Sequence, residues 1–152
     1  WVVAQMEDRY RRLALLSVRN LEGFNAKVLE AGGNIDLSDR TLTAYAGDTV
    51  ITTTKVVVGA ADTPTPTGRL YVTDYEEKRA GSAYGPWILP ISAYSQALDW
   101  FDGGVPVIAM HGTNRPDLLG SAASNGCIRM PDEVIQRLRD TLPLGTPVLI
   151  SG

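Results

Sequence analysis

The 152 residues contain one cysteine, Cys127, and one histidine, His111, and a loop carrying Gly112, Gly120 and Gly126 separates them. A thiolate is a strong nucleophile, but a free cysteine with a pKa of about 8.5 is only a few per cent ionised at neutral pH. An imidazole folded back against the thiol can take its proton and form a thiolate–imidazolium pair. If Cys127–Met130 is extended, Arg129 points to the same side as Cys127, while Ile128 and Met130 point to the core. Arg129 would then favour the thiolate and offer its fork to a substrate carboxylate. The backbone N–H groups of Gly126 and Cys127 are candidate oxyanion donors, since a glycine lets a carbonyl approach closely. Residue type and spacing also admit a plainer reading. A lone cysteine can be a small buried hydrophobe, a lone histidine can be structural, and Arg129 can be a surface cation.

The elements that must position these residues read as mainly β. Ile35-Asp36-Leu37, a turn at Ser38-Asp39-Arg40, and Thr41–Tyr45 form strand, turn and strand. A turn at Ala46-Gly47-Asp48 leads to a long strand, Val50–Val58, rich in Thr and Val. Residues 59–68 form a loop, because its prolines cannot donate ladder hydrogen bonds. Arg69–Thr73 resumes a strand, and residues 74–104 read as irregular surface structure with short strands. Val105–Met110 is an apolar strand, so His111 sits at its end. Pro131–Leu142 is the one convincing helix. Pro131 suits its first position, Asp132 and Glu133 complement its dipole, and Val134, Ile135, Leu138 and Leu142 form its apolar face. Pro147–Ser151 closes as a strand. The expected architecture is a β-sandwich or partly closed barrel with one helix in the C-terminal half. Residues 1–33 place Leu13, Leu16, Leu21 and Phe24 on one helical stripe. Asn20, Gly23 and Asn25 interrupt that stripe, and strand–turn–strand is the expectation.

Composition fits a globular domain with a real core: 44% of residues are hydrophobic and 20% charged. The net charge of −3 gives no basic footprint for nucleic acid or an anionic membrane surface. No apolar run approaches the roughly 18 residues of a spanning helix. The chain begins at Trp1, so it reads as a processed or trimmed piece. No metal or organic cofactor is expected, because the single histidine and cysteine are already assigned and no other soft ligand exists.

"HGT", a gap and then "SNGCIRM" resembles the signature of the L,D-transpeptidases of the YkuD family, in which histidine-glycine precedes a loop and a serine-histidine-glycine-cysteine run followed by arginine or asparagine. "IDLSDRTLTAYAGD", "VGAADTPTPTGRLYV" and "YGPWILPIS" also look like that domain, so the resemblance covers residues 34–152. Residues 1–33 fall outside it and are compatible with the end of a small β-rich module. The resemblance implies a β-sandwich catalytic domain acting on bacterial peptidoglycan outside the cytoplasmic membrane, with roles in wall organisation and cell shape. It implies that Cys127 attacks the carbonyl after the third residue of a tetrapeptide stem and expels D-alanine. A neighbouring stem's amine would then resolve the thioester into a 3→3 cross-link. His111 would be the base, Gly112 would orient it through its carbonyl, and Arg129 would face the substrate. Ser124 would order the loop, and carbapenems would be inhibitors. Tyr84 and Trp87 would lie near the cleft mouth or serve as packing aromatics. This chain departs from the pattern at Asn125, which stands where the family has histidine and cannot titrate.

Other classes remain in view at this point. Papain-like and NlpC-type peptidases place cysteine before histidine. Sortases share the order but set histidine further upstream and arginine further downstream. A cell-wall-binding module would need no reactive thiol, and an L,D-carboxypeptidase would pass the thioester to water.

Overall fold

The computed structural model describes residues 31–101 and 103–152, so the strand–turn–strand expected before residue 31 lies outside the described residues. The chain opens with an antiparallel meander of β1 (Ala31–Asp36), β2 (Thr41–Ala46) and β3 (Thr49–Lys55). The β1–β2 turn forms because Asp36 Oδ1 accepts the backbone N–H groups of Ser38 at 2.9 Å and Asp39 at 3.2 Å. The last strand, β11 (Pro147–Ser151), runs parallel to β1 and pairs on its other side with β5 (Gly68–Tyr71). These five form one sheet in the order β3-β2-β1-β11-β5.

A second sheet, in the order β10-β8-β7-β6, is built from β6 (Glu76–Glu77), β7 (Trp87–Tyr94), β8 (Val107–His111) and β10 (Ile128–Arg129). A short parallel pair, β4 (Val58–Gly59) with β9 (Ala122–Ser124), ties the proline loop to the segment before Cys127. Helix α1 (Asp132–Thr141) packs on β7 and β8 through Val134, Ile135 and Leu138. Both sheets and the helix share one core, in which Ile35, Leu42, Leu89, Ile108, Met110, Ile128 and Ile150 are at most 1% exposed. Among the described residues the architecture is mainly β with one α-helix, and no barrel closes.

Four expectations need correction. Residues 74–104 are not irregular throughout, because they contain β7, the longest strand among the described residues, whose Leu89, Ile91 and Ala93 alternate into the core. Pro90 and Ser92 obscure that alternation. The strand expected over Val50–Val58 stops at Lys55 and resumes as β4. The glycine loop between His111 and Cys127 contains a 3-10 turn (Pro116–Leu118) and β9. Pro131 is the N-cap of α1, not its first helical residue; its carbonyl accepts the N–H groups of Val134 and Ile135.

Candidate active site

Strand register brings the site together. β10 runs parallel to β8, with Ile128 opposite Met110 and Arg129 opposite His111. Directly paired residues share a sheet face, and side chains alternate along a strand. Ile128 and Met110 therefore enter the core, and His111 and Arg129 emerge together on the outer face. Cys127, one residue before Ile128, returns to that face. Cys127, His111, Arg129, Asn125 and Tyr84 line one cleft of about 60 Å³, together with Leu98 and Phe101.

Hydrogen bonds fix the turn that presents the thiol. Ser124 is buried; its Oγ donates to the Cys127 carbonyl at 2.6 Å and accepts the Gly126 N–H at 3.1 Å. Thr63 Oγ1 donates to the Ser124 carbonyl at 2.9 Å, and Thr65 Oγ1 donates to the Gly126 carbonyl at 2.8 Å. The proline loop thus braces the Cys127 turn. Gly126 adopts φ +109°, where a side chain would be strained. Its N–H is committed to Ser124, which removes Gly126 from the pair of oxyanion donors expected from sequence. Asn125 is exposed at the cleft, so Ser124, not Asn125, shapes this turn.

His111 is 3% exposed, and its Nδ1–H donates to the Gly112 carbonyl at 2.6 Å. That bond selects the tautomer in which Nε2 carries a lone pair. Tyr84 meets the imidazole edge-on, with ring centroids 5.0 Å apart. A contact that sequence did not signal holds the same peptide group. Asp132 Oδ1 accepts the Thr113 N–H at 3.0 Å and packs against the glycine backbone. A Cβ on Gly112 would fall 2.3 Å from that oxygen and 2.8 Å from Gly85 Cα. Sequence marked Asp132 only as a dipole partner of the helix. Trp87 is a packing residue, with its indole N–H on Gln136 Oε1 at 2.9 Å and the Arg139 guanidinium 4.5 Å from its ring.

Burial dominates the electrostatics. It depresses the His111 pKa to about 4; the Gly112 carbonyl opposes this and the Arg129 charge adds to it. Burial also pushes the Cys127 thiol up, partly offset by the Ala109 backbone and Arg129. Both shifts favour the uncharged forms, a thiol and a neutral imidazole. Such a pair can still do base-assisted nucleophilic chemistry, provided the proton moves as the thiol attacks. The Arg129 Nε is buried without a hydrogen-bond partner among the described residues, and its residue lines the cleft.

Residues 33–150 match the YkuD family model, the L,D-transpeptidase catalytic domain. The Bacillus subtilis protein YkuD is 32% identical over 117 residues, 77% of this chain and 63% of that relative. The chain thus spans less than two thirds of that relative's length. A crystal structure of an Enterococcus faecium L,D-transpeptidase mutant superposes with TM-score 0.63 at 25% identity, covering 80% of this chain and 50% of that one. An LD transpeptidase, LdtMt1, in complex with imipenem shares the fold, with TM-score 0.62 at 16% identity over 80% of this chain and 59% of that one. A 50-residue stretch is also 46% identical to part of the DNA translocase FtsK of Azospirillum brasilense, but it covers only 8% of that protein.

Proposed function

Because this chain belongs to the YkuD family of L,D-transpeptidase catalytic domains, we propose that it transfers the acyl group of a peptidoglycan stem through a thioester on Cys127. The observation that carries this reading is the convergence of Cys127, His111 and Arg129 on one cleft. In the first step the thiol proton passes to His111 Nε2 as Sγ bonds to the carbonyl carbon of the third stem residue. The C–N bond then breaks, and the imidazolium returns that proton to the departing D-alanine amine. In the second step the amine of a neighbouring stem attacks the thioester, loses its proton to His111, and displaces the Cys127 sulfur, which takes that proton back from the imidazolium. The product is a 3→3 cross-link.

Arg129 would bind a stem carboxylate through its guanidinium, since the residue lines the cleft. Gly112 would hold His111 in its working tautomer. The Cys127 N–H would support the oxyanion in place of Gly126. Such a substrate puts the protein outside the cytoplasmic membrane. The resemblance to an imipenem complex supports carbapenems as acylating inhibitors.

Mass spectrometry of products from a disaccharide-tetrapeptide tests the reading. Cross-linked dimers plus free D-alanine are expected. Tripeptide with no dimer at any acceptor concentration would make the protein an L,D-carboxypeptidase, and unchanged substrate would exclude both.

A further inference from the structure

A second groove of about 500 Å³ adjoins the cleft, within the range of small-ligand clefts. Val107 lines both, so the two meet at that residue. Strand pairing explains why. Tyr94 stands opposite Val107 on β7 and β8, and Pro90 opposite Ala109, so Pro90, Ser92 and Tyr94 share the outer face with His111. The next segment lies alongside: the Thr73 N–H donates to the Pro90 carbonyl at 2.8 Å, and the Tyr71 N–H to Ser92 Oγ at 3.1 Å.

Two phenol rings stand out of this groove, Tyr71 at 52% and Tyr94 at 60% exposure. Between them lie the Ser92 hydroxyl and, at one rim, the carboxylates of Asp74 and Glu76. Glu76 is paired with Lys78 at 3.0 Å, and one Asp74 oxygen accepts the Tyr75 N–H at 2.8 Å. Aromatic faces beside hydroxyl and carboxylate acceptors suit a ring with apolar C–H faces and hydroxyl donors at its edge. The rim carboxylates disfavour an anion.

We propose that this groove binds the uncharged sugar to which the reacting stem is attached. The inference rests on the acyl-transfer reading for its choice of ligand. Distance supports it. Strands about 4.8 Å apart place the groove, between β7 and residues 71–73, about 12 Å from β10. Three extended stem residues span about 10 Å, which brings the sugar to the groove's near edge.

The test titrates isotope-labelled protein with a β-1,4-linked N-acetylglucosamine tetramer and follows backbone amide shifts. Shifts centred on Tyr71, Ser92 and Tyr94, weakened at least about fivefold in Tyr71→Ala/Tyr94→Ala, are expected. Asp74→Asn, which removes no packing, should weaken binding to a smaller degree. No shifts at these residues, or equal shifts with a sugar-free tripeptide, would overturn the proposal. Turnover of sugar-free tetrapeptide is measured alongside. It should be unchanged in the double variant, while wild type should show a KM at least about fivefold lower for the sugar-bearing stem. Sugar binding without turnover of either stem would sink the acyl-transfer reading and leave the groove standing. Turnover with no sugar preference and no shifts would sink the groove alone.

Discussion

The Asp132 carboxylate accepts the Thr113 N–H at 3.0 Å, the N–H of the same peptide group whose carbonyl holds His111 Nδ1. Asp132 thereby links the start of α1 to the orientation of the imidazole. We expect Asp132→Ala to lower kcat by about tenfold to a hundredfold, the range that a lost charge-assisted hydrogen bond supports. Asp132→Asn keeps an acceptor oxygen and should recover most of that loss. KM should change little in either variant. A loss confined to KM, or no recovery with asparagine, would show that Asp132 does not act through His111.

Burial of His111 links stability to acid. The unfolded imidazole takes up a proton near pH 6.5, whereas the folded one resists until about 4. Between those values the unfolded chain binds the extra proton, so this contribution is complete above about 6.5 and fades as pH falls toward 4. By pH 5 the loss should be on the order of 2 kcal/mol. Urea unfolding of wild type and His111→Gln at several pH values checks this. Parallel curves for the two proteins would contradict it.

A neutral resting pair also predicts how Cys127 reacts with iodoacetamide. The rate should climb with pH through the alkaline range, because burial raises the thiol. A rate plateau already reached below about pH 6 would mean a preformed thiolate–imidazolium pair.

Much of this site was legible in sequence because its logic is local. Alternation in Cys127–Met130 put Cys127 and Arg129 on one face; β10 pairs Arg129 with His111, and Cys127 and Arg129 line one cleft. Helix α1 was legible from its Val134, Ile135 and Leu138 spacing. What escaped depends on tertiary neighbours. Asp132 touches Gly85 and Gly112 only because α1 docks beneath the His111 turn. Gly126 seemed a free donor until Ser124 Oγ took its N–H. Strand β7 was hidden because Pro90 and Ser92 sit on its outer face, where sequence gives no apolar signal. The neutral state of the dyad reflects desolvation, which spacing does not encode.

Imipenem should add one drug mass to the wild-type protein, by opening of its strained amide on Cys127, and none to Cys127→Ala. An adduct that persists in Cys127→Ala would move the reactive group elsewhere.

We propose that Cys127 carries the acyl group, with His111 moving its proton. Rapid-quench intact-mass measurement on a disaccharide-tetrapeptide tests it most directly. Wild type should gain, within the first turnover, the mass of the substrate less D-alanine. His111→Ala should form that adduct at least about a hundredfold more slowly, the range of general-base assistance. Cys127→Ala should never form it while remaining folded by circular dichroism. D-alanine release by Cys127→Ala within about tenfold of wild type would contradict the account.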